Sequence, residues 1–218
     1  MRINRYIAFC TGMSRRSADR VISEERVKLN GSFVSPGMNV SDKDIVSLDG
    51  VMLQAPSKYQ TIMLNKPVGY VVSRNGQGSD TIYSLLPPTL YNLKPVGRLD
   101  KDSSGLLLLS DDGNLTQSLT HPSVMKQKIY EIIIDKPLRF KNLQAIQKGI
   151  MLEDGISKLE LKGKDKEWLV TMYEGRNRQI RRTFASQGYS VSKLNRIQFG
   201  EYTLDQSLKP GMFIKLDV

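Results

Sequence analysis

The chain has 218 residues, enough for one large domain or two small ones, and its 32 Lys and Arg against 22 Asp and Glu give a formal net charge of +10. This excess favours a polyanionic partner, with nucleic acid ahead of an anionic membrane surface. One cysteine excludes an internal disulfide bond, one histidine leaves few ligands for a metal cluster, and no apolar run approaches the roughly 20 residues that span a bilayer.

The first 50 residues predict two helices followed by short strands. Apolar residues recur at helical spacing over residues 3–8, and Gly12 can end that helix. Ser14 is suited to cap a second helix. Residues 27–31 alternate apolar and polar and end in Asn-Gly, which predicts a β-hairpin, and further short strands are expected around Val34, Val40 and residues 45–48. The N-terminus lacks the apolar core of a signal peptide, so we expect a cytoplasmic protein.

Basic side chains are concentrated in this N-terminal segment. Alone, such a run of charge is typical of a solvated helix face. Here, segments 14–18 and 26–31 resemble the small RNA-binding domain shared by a small-subunit ribosomal protein and tyrosyl-tRNA synthetases. Arginine also makes bidentate contacts with phosphate. The resemblance implies RNA binding by Arg15, Arg16, Arg20, Arg26 and Lys28.

Residues 52–59 have no clear period, and we interpret them as a linker between domains 1–51 and 60–218. Residues 61–72 predict a strand, a turn after Lys66 and a second strand. Residues 81–86 predict a short helix that Pro87 and Pro88 stop.

The segment 96–113 is the most informative part of the chain. Leu106 to Leu109 form an apolar run that predicts a buried strand, and Asp100 lies in the turn before it, between Arg98 and Lys101. A carboxylate held by a strand and flanked by cations is a candidate nucleophile or base. The same pattern also fits an ordinary polar turn.

Three further elements carry candidate residues. A helix through Leu115 and Leu119 should end at 121–122, and residues 128–134 predict a strand that carries Tyr130. A helix over 137–149 and strands over 149–162 and 168–173 follow. Segment 174–182 is either a solvated helix start or an RNA-binding cluster, extended by Lys193 and Arg196; its basic members are Arg176, Arg178, Arg181 and Arg182.

The segments 97–100 and 103–108 resemble the central motif of pseudouridine synthases, closest to the stand-alone family that modifies ribosomal RNA without a guide RNA. The opening segment 65–69 and the segment 175–181 also match that family. The resemblance implies that Asp100 is the catalytic carboxylate, that Tyr130 stacks on the target base and assists proton transfer, and that Arg181 pairs with Asp100. It also implies that Leu99 and Ile180 line the base pocket. Arg98 is a candidate either for displacing the stacked target nucleotide or for holding a phosphate.

The implied reaction is the isomerisation of uridine to pseudouridine without a metal or an organic cofactor. Asp100 would either add covalently or abstract a sugar proton. The implied fold is α+β: a small N-terminal domain of helices and hairpins, then a catalytic domain with a mixed, largely antiparallel sheet flanked by helices. We expect a monomer that acts on ribosomal RNA or a ribosomal-subunit precursor, with large-subunit RNA preferred over small-subunit RNA and no membrane partner.

The main alternative is a non-catalytic RNA-binding or ribosome-assembly protein that retains this fold. The joint presence of Asp100, Tyr130 and Arg181 argues against it, because binding alone needs no ionised acid beside RNA. RNA cleavage is disfavoured, because the sequence lacks the usual histidine pair or metal-binding carboxylates.

Overall fold

The computed structural model describes residues 1–55, 58–121 and 123–216. Contacts within the chain divide these residues into two compact units, one ending at Gln60 and one beginning at Thr61. The expected linker 52–59 begins inside the first unit, because Met52 lies in a strand and Leu53 packs against that unit's apolar core. Pro56 and Ser57 of the linker, and Pro122 at the expected helix end, lie outside the described residues.

Two helices open the first unit, as predicted. Helix α1 (Ile3–Thr11) ends where Gly12 adopts a left-handed conformation with φ of 74°. Helix α2 (Arg15–Ser23) begins after Ser14, whose hydroxyl accepts a hydrogen bond of 3.0 Å from the backbone N–H of Ser17. Their apolar sides bury Ile3, Ile7 and Ile22, so the helices pack on a shared core.

Short strands complete the first unit in the order β2-β1-β3-β4: β1 (Val27–Leu29), β2 (Ser32–Phe33), β3 (Val46–Leu48) and β4 (Val51–Met52). The predicted hairpin turn is confirmed, since Asn30 and Gly31 have φ of 51° and 86° and Leu29 pairs with Ser32. The strands expected at Val34 and Val40 are wrong. Both side chains are buried, but the N–H of Val40 donates to the carbonyl of Met1 instead of to a strand.

The second unit contains helices and strands interleaved along the chain. In order they are β5 (Thr61–Lys66), β6 (Lys94–Val96), β7 (Ser104–Ser110), α3 (Gly113–Thr120), β8 (Lys128–Ile134), α4 (Phe140–Lys148), β9 (Ile150–Leu152), β10 (Gly155–Ser157), β11 (Glu160–Lys164), β12 (Glu167–Met172), α5 (Gln179–Ser186), β13 (Val191–Phe199), β14 (Tyr202–Thr203) and β15 (Phe213–Leu216). Two 3₁₀ helices, Ile82–Leu85 and Pro88–Leu90, lie between β5 and β6.

Nine of the described strands form one sheet with the path β11-β12-β8-β13-β7-β5-β15, while β14 pairs with β13 and β6 pairs with β7. Among the strand pairs described in this sheet, β13 and β7 are parallel and the others are antiparallel. The expected α+β fold with a mixed, largely antiparallel sheet is therefore confirmed.

Strand β7 lies in the interior of this sheet. Leu107 and Leu109 belong to one apolar cluster, and Leu106 and Leu108 belong to the cluster on the opposite face. Because successive side chains of a strand point to opposite faces, burial on both sides requires a continuous apolar run. The run of leucines thus fixes β7 as the rigid support for the turn before it.

The second strand expected at 70–72 is wrong. Strand β5 already pairs with β7 on one edge and β15 on the other, so no edge of β5 is open to a returning chain. The N–H of Gly69 instead donates to the carbonyl of Lys101 at 2.7 Å, and Val71 forms only an isolated bridge with Thr81. The helix expected at 81–86 is a 3₁₀ helix.

Within the parts of the chain that the structure describes, no helix has the length and apolar character required to cross a bilayer.

Candidate active site

Asp100 lies in the turn that joins β6 to β7. The turn is closed by a hydrogen bond of 3.1 Å from the N–H of Ser103 to the carbonyl of Asp100. After it, β7 enters the sheet at Gly105, which has φ of 100° and where a Cβ atom would lie 2.2 Å from the carbonyl oxygen of Arg196. Glycine is therefore required here by both conformation and space. This close approach fixes the turn against β13.

Lys66 is hydrogen-bonded to the backbone of the same turn. It is the last residue of β5 and is fully buried, and its ammonium donates to three backbone carbonyls, those of Pro67, Asp100 and Ser103, at 3.0, 3.1 and 2.7 Å. Burial lowers the pKa of Lys66 to about 8, although the carboxylates of Asp100 and Asp102 oppose this effect. From the sequence, Lys66 was a candidate either for contacting RNA or for a structural turn, and its burial was not predicted. Its position shortly after the apolar run 62–64 of the same strand was the available signal.

A cleft of about 600 Å³ opens beside Asp100. Tyr130, from β8, and Ile180, from α5, lie in its wall with Asp100 and Leu99. Leu99, Tyr130 and Ile180 are each less than a tenth exposed, so they present apolar surface without projecting into solvent. Arg98 is exposed at the junction of this cleft and a second cleft of about 360 Å³. The fold thus brings the predicted carboxylate, tyrosine and base-pocket residues together.

The expected pairing of Arg181 with Asp100 is wrong. Arg181 contacts Asp102, with its Nε 3.2 Å from a carboxylate oxygen and its Nη2 donating to the backbone carbonyl at 2.7 Å. Arg178 is the arginine that approaches Asp100, with Nη1 3.9 Å from a carboxylate oxygen. Arg178 also forms a bidentate pair with Asp102 at 2.9 and 2.8 Å.

The physical reason lies at the start of α5. Arg178 precedes the helix in a left-handed conformation with φ of 49°, so helical spacing does not set the direction of its side chain. Arg181 lies within the helix, is only 14% exposed in its side chain, and also donates to the carbonyl of Val191. The two arginines converge on Asp102, and their hydrogen bond and charges lower its pKa, the bond from Arg178 contributing most.

Comparisons with known proteins point to one family. Residues 60–186 match the family model described as RNA pseudouridylate synthase. The chain belongs to the RNA pseudouridylate synthase family. Its members are isomerases.

Relatives of this synthase extend over the whole chain. A protein of Aquifex aeolicus described as an uncharacterized RNA pseudouridine synthase is 35% identical over 100% of this chain and 90% of its own length. The ribosomal small subunit pseudouridine synthase A of Haemophilus influenzae is 34% identical over 98% of this chain and 94% of its length. The ribosomal large subunit pseudouridine synthase B of Pseudomonas aeruginosa is also 34% identical, over 94% of this chain, but the match spans 56% of that relative. A crystal structure of a pseudouridylate synthase superposes with a TM-score of 0.72 at 33% identity, covering 100% of this chain and 96% of that one.

Two arginines of the synthase's segment 174–182 pair with Asp154 instead of Asp100. Arg182 forms a bidentate pair with Asp154 at 3.1 and 2.7 Å. Arg176 contacts the same carboxylate at 2.9 Å and donates to the carbonyls of Gly155 and Ile156. Both side chains therefore fasten the hairpin of β9 and β10, although Arg176 also lines the cleft.

The predicted RNA-binding residues of the first unit differ in their contacts. Arg15, Arg16 and Arg20 are exposed on α2, and no described carboxylate lies within 4.0 Å of them. Arg26 instead forms a bidentate pair with Asp49 at 2.9 and 2.7 Å, which raises its pKa. The ammonium of Lys28 lies 4.9 Å from the ring centroid of Phe33, and both side chains are exposed.

Sequence reasoning missed Lys128 as a cation of the cleft and named Arg196 only as part of a positive region with Lys193. Lys128, on β8, and Arg196, on β13, both line the cleft beside Phe199. Arg196 is buried, whereas Lys193, its expected companion, is exposed and lies 3.8 Å from Glu131. The period-two spacing of Lys128, Tyr130 and Ile132 was a usable signal, because residues two apart share one face of a strand.

Proposed function

We propose that this protein isomerises a specific uridine of ribosomal RNA to pseudouridine, with Asp100 as the catalytic carboxylate and large-subunit RNA preferred over small-subunit RNA. The observation that carries the proposal is the position of the Asp100 carboxylate, in the wall of a cleft that also presents Tyr130 and Ile180 and within 3.9 Å of the Arg178 guanidinium. The family membership supplies the reaction, and the names of the relatives supply ribosomal RNA as the substrate class.

The cleft suits this reaction chemically. The bond between C1′ of the ribose and N1 of uracil must break, the base must rotate, and C5 must bond to C1′ while its proton is lost and N1 gains one. A carboxylate at Asp100 can attack carbon or accept a proton, and the Arg178 guanidinium 3.9 Å away is close enough to orient it. Apolar walls from Leu99 and Ile180 can hold the uracil while Tyr130 lies against it.

A stacked uridine must leave its helix to enter this cleft. Arg98 is suited to that step, because it is exposed at the rim next to Asp100, where it can occupy the vacated stack or hold a phosphate. We also propose that the first unit is an RNA-binding domain. The exposed arginines Arg15, Arg16 and Arg20 support this part of the proposal, as their fork-shaped groups match phosphate oxygens. We propose a monomer acting in the cytoplasm on ribosomal RNA or a subunit precursor.

Release of tritium from RNA labelled at C5 of uridine tests the proposal. The substrates are large-subunit and small-subunit RNA, each naked and as assembled or precursor subunits, because relatives named for the two subunits are equally similar. The wild type should release tritium, with the large-subunit substrates favoured, and Asp100→Asn should release none while still retaining RNA on a filter. Asp165→Asn is the matched control, because Asp165 lies outside the cleft in a left-handed turn that asparagine tolerates.

Two outcomes contradict the proposal in different ways. RNA binding without release on every substrate would indicate a non-catalytic RNA-binding protein. Equal release by the wild type and Asp100→Asn would show an enzyme whose catalytic group is another residue.

A further inference from the structure

Arg196 is a buried cation in the sheet beneath the cleft. Arg196 lies on β13, where it pairs with Tyr130 of β8 and with Gly105 of β7. It is 2% exposed, and it lines the same cleft as Asp100. Strand positions that face inward normally carry apolar residues, so a charged group here needs a specific reason.

The hydrogen bonds of Arg196 are incomplete. Its Nε donates to the carbonyl of Leu106 at 2.9 Å, and its guanidinium carbon lies 4.8 Å from the ring centroid of Phe199. Its Nη2 is buried and has no hydrogen-bond partner, and no carboxylate in the described ranges 1–55, 58–121 and 123–216 lies within 4.0 Å of the guanidinium. A buried charge is strongly unfavourable unless a counter-charge and acceptors compensate it.

Lys128 adds a second cation beside the first. It is half-buried, its ammonium lies 5.3 Å from the centroid of the same Phe199 ring, and it donates only long hydrogen bonds to the carbonyls of Lys126 and Tyr173, at 3.2 and 3.5 Å. Burial and the charge of Arg196 lower the pKa of Lys128. Glu174 acts in the opposite direction, but its carboxylate already accepts hydrogen bonds from Arg176 and Gln179.

We propose that Arg196 and Lys128 form a subsite for a phosphodiester group of the RNA backbone, adjoining the nucleotide that enters the cleft. The subsite rests on the proposed function, because the nucleotide in the cleft is taken to be the target uridine. A phosphate supplies the negative charge that the two cations lack and acceptors for the ammonium and the guanidinium, whose residues both line the cleft. Tyr130 and Arg196 are directly paired on the adjacent strands β8 and β13. A phosphate bound by the two cations therefore lies next to a base that stacks on the tyrosine.

Binding of small nucleotides tests the subsite without requiring turnover. Uridine, uridine 3′-monophosphate and uridine 5′-monophosphate are titrated into the full-length protein by calorimetry. One of the two monophosphates should bind about tenfold or more tightly than uridine, as expected for a charge-assisted hydrogen bond. In Lys128→Gln this preference should fall below about threefold, while the affinity for uridine itself stays unchanged.

Lys162→Gln is the matched control, because it removes the same charge from an exposed residue of β11 outside the cleft. It should retain the full preference for the monophosphate. Equal loss of the preference in Lys128→Gln and Lys162→Gln, or no loss in Lys128→Gln, would overturn the subsite.

Arg196→Lys provides a second variant that keeps the charge but loses the fork of donors. This variant should also lose most of the preference for the monophosphate over uridine. Thermal unfolding checks that it folds. If it does not fold, the test rests on Lys128→Gln, whose site is only half-buried. With single-stranded oligouridylate, Lys128→Gln should lower the slope of log affinity against log salt by about 0.7, the value for one phosphate contact. Because these readouts need no catalysis, a failed tritium-release assay with the phosphate preference intact would reject the proposed reaction and keep the anion subsite.

Discussion

The substitution Lys66→Met tests whether Lys66 positions the Asp100 turn, as distinct from stabilising the fold. Methionine has nearly the length of lysine and fills the buried channel at the end of β5, but it removes all three hydrogen bonds to the turn. The carbonyl of Asp100 keeps the bond from the N–H of Ser103, whereas the carbonyls of Pro67 and Ser103 lose the bond from the ammonium. The turn is then free to shift.

The expected loss of stability is small because two effects oppose each other. Two carbonyls that lose a buried partner cost about 1–3 kcal/mol each. In return, the protein no longer buries an ammonium, and a pKa lowered from 10.5 to about 8 corresponds to about 3 kcal/mol of unfavourable burial. The free energy of unfolding should therefore fall by no more than about 3 kcal/mol. Catalysis should suffer more, since a displacement of about 1 Å can lower the rate about 100-fold.

Urea unfolding at pH 7 and tritium release measure the two quantities on the same preparations. Lys66→Met should lose at least about 100-fold in kcat and remain folded, and Lys162→Met, an exposed substitution of the same type, should match the wild type in both assays. Activity of Lys66→Met within about fivefold of the wild type would refute the inference that this ammonium positions the Asp100 turn.

Two further substitutions test the geometry around the turn. Gly105→Ala places Cβ 2.2 Å from the carbonyl oxygen of Arg196 at φ of 100°, so the free energy of unfolding in urea should fall by at least about 3 kcal/mol. The control Gly188→Ala, at a left-handed position with open space around it, should lower it by about 1 kcal/mol. Similar losses in the two variants would mean that β7 and β13 can separate at little cost. Asp102 has a pKa lowered by Arg178 and Arg181, so its contribution to stability is present above its ordinary pKa of 3.8 and is lost as the pH falls through the lower folded-state value. The wild type should therefore be more stable than Asp102→Asn at pH 6, with the difference vanishing towards pH 2, and a difference independent of pH would contradict the ion pairs.

Local patterns predicted several elements because they depend on neighbours in the chain. Asn30 and Gly31 favour one tight turn by their own backbone preferences, and Ser14 caps α2 with its own hydroxyl. The apolar side chains of residues 106–109 can all be buried only where both faces of the strand are covered, which predicts the interior position of β7. In contrast, the strand expected at 70–72 failed because its pairing depends on which edges of β5 are already occupied, and segments distant in sequence decide that.

By itself, the sequence determined that a carboxylate at Asp100 stands before a buried strand, together with a tyrosine on β8 and arginines around the start of α5. Only the tertiary structure decided which of these groups meet. Asp100 and Asp102 are two residues apart, and Arg178 and Arg181 are three apart, so spacing allows several pairings; the left-handed backbone of Arg178 and the packing of α5 select Asp102 as the shared partner. The burial of Lys66 and Arg196 is likewise a property of the assembled sheet, because Ser103, 37 positions from Lys66, and Leu106, 90 positions from Arg196, supply acceptors for the two charges.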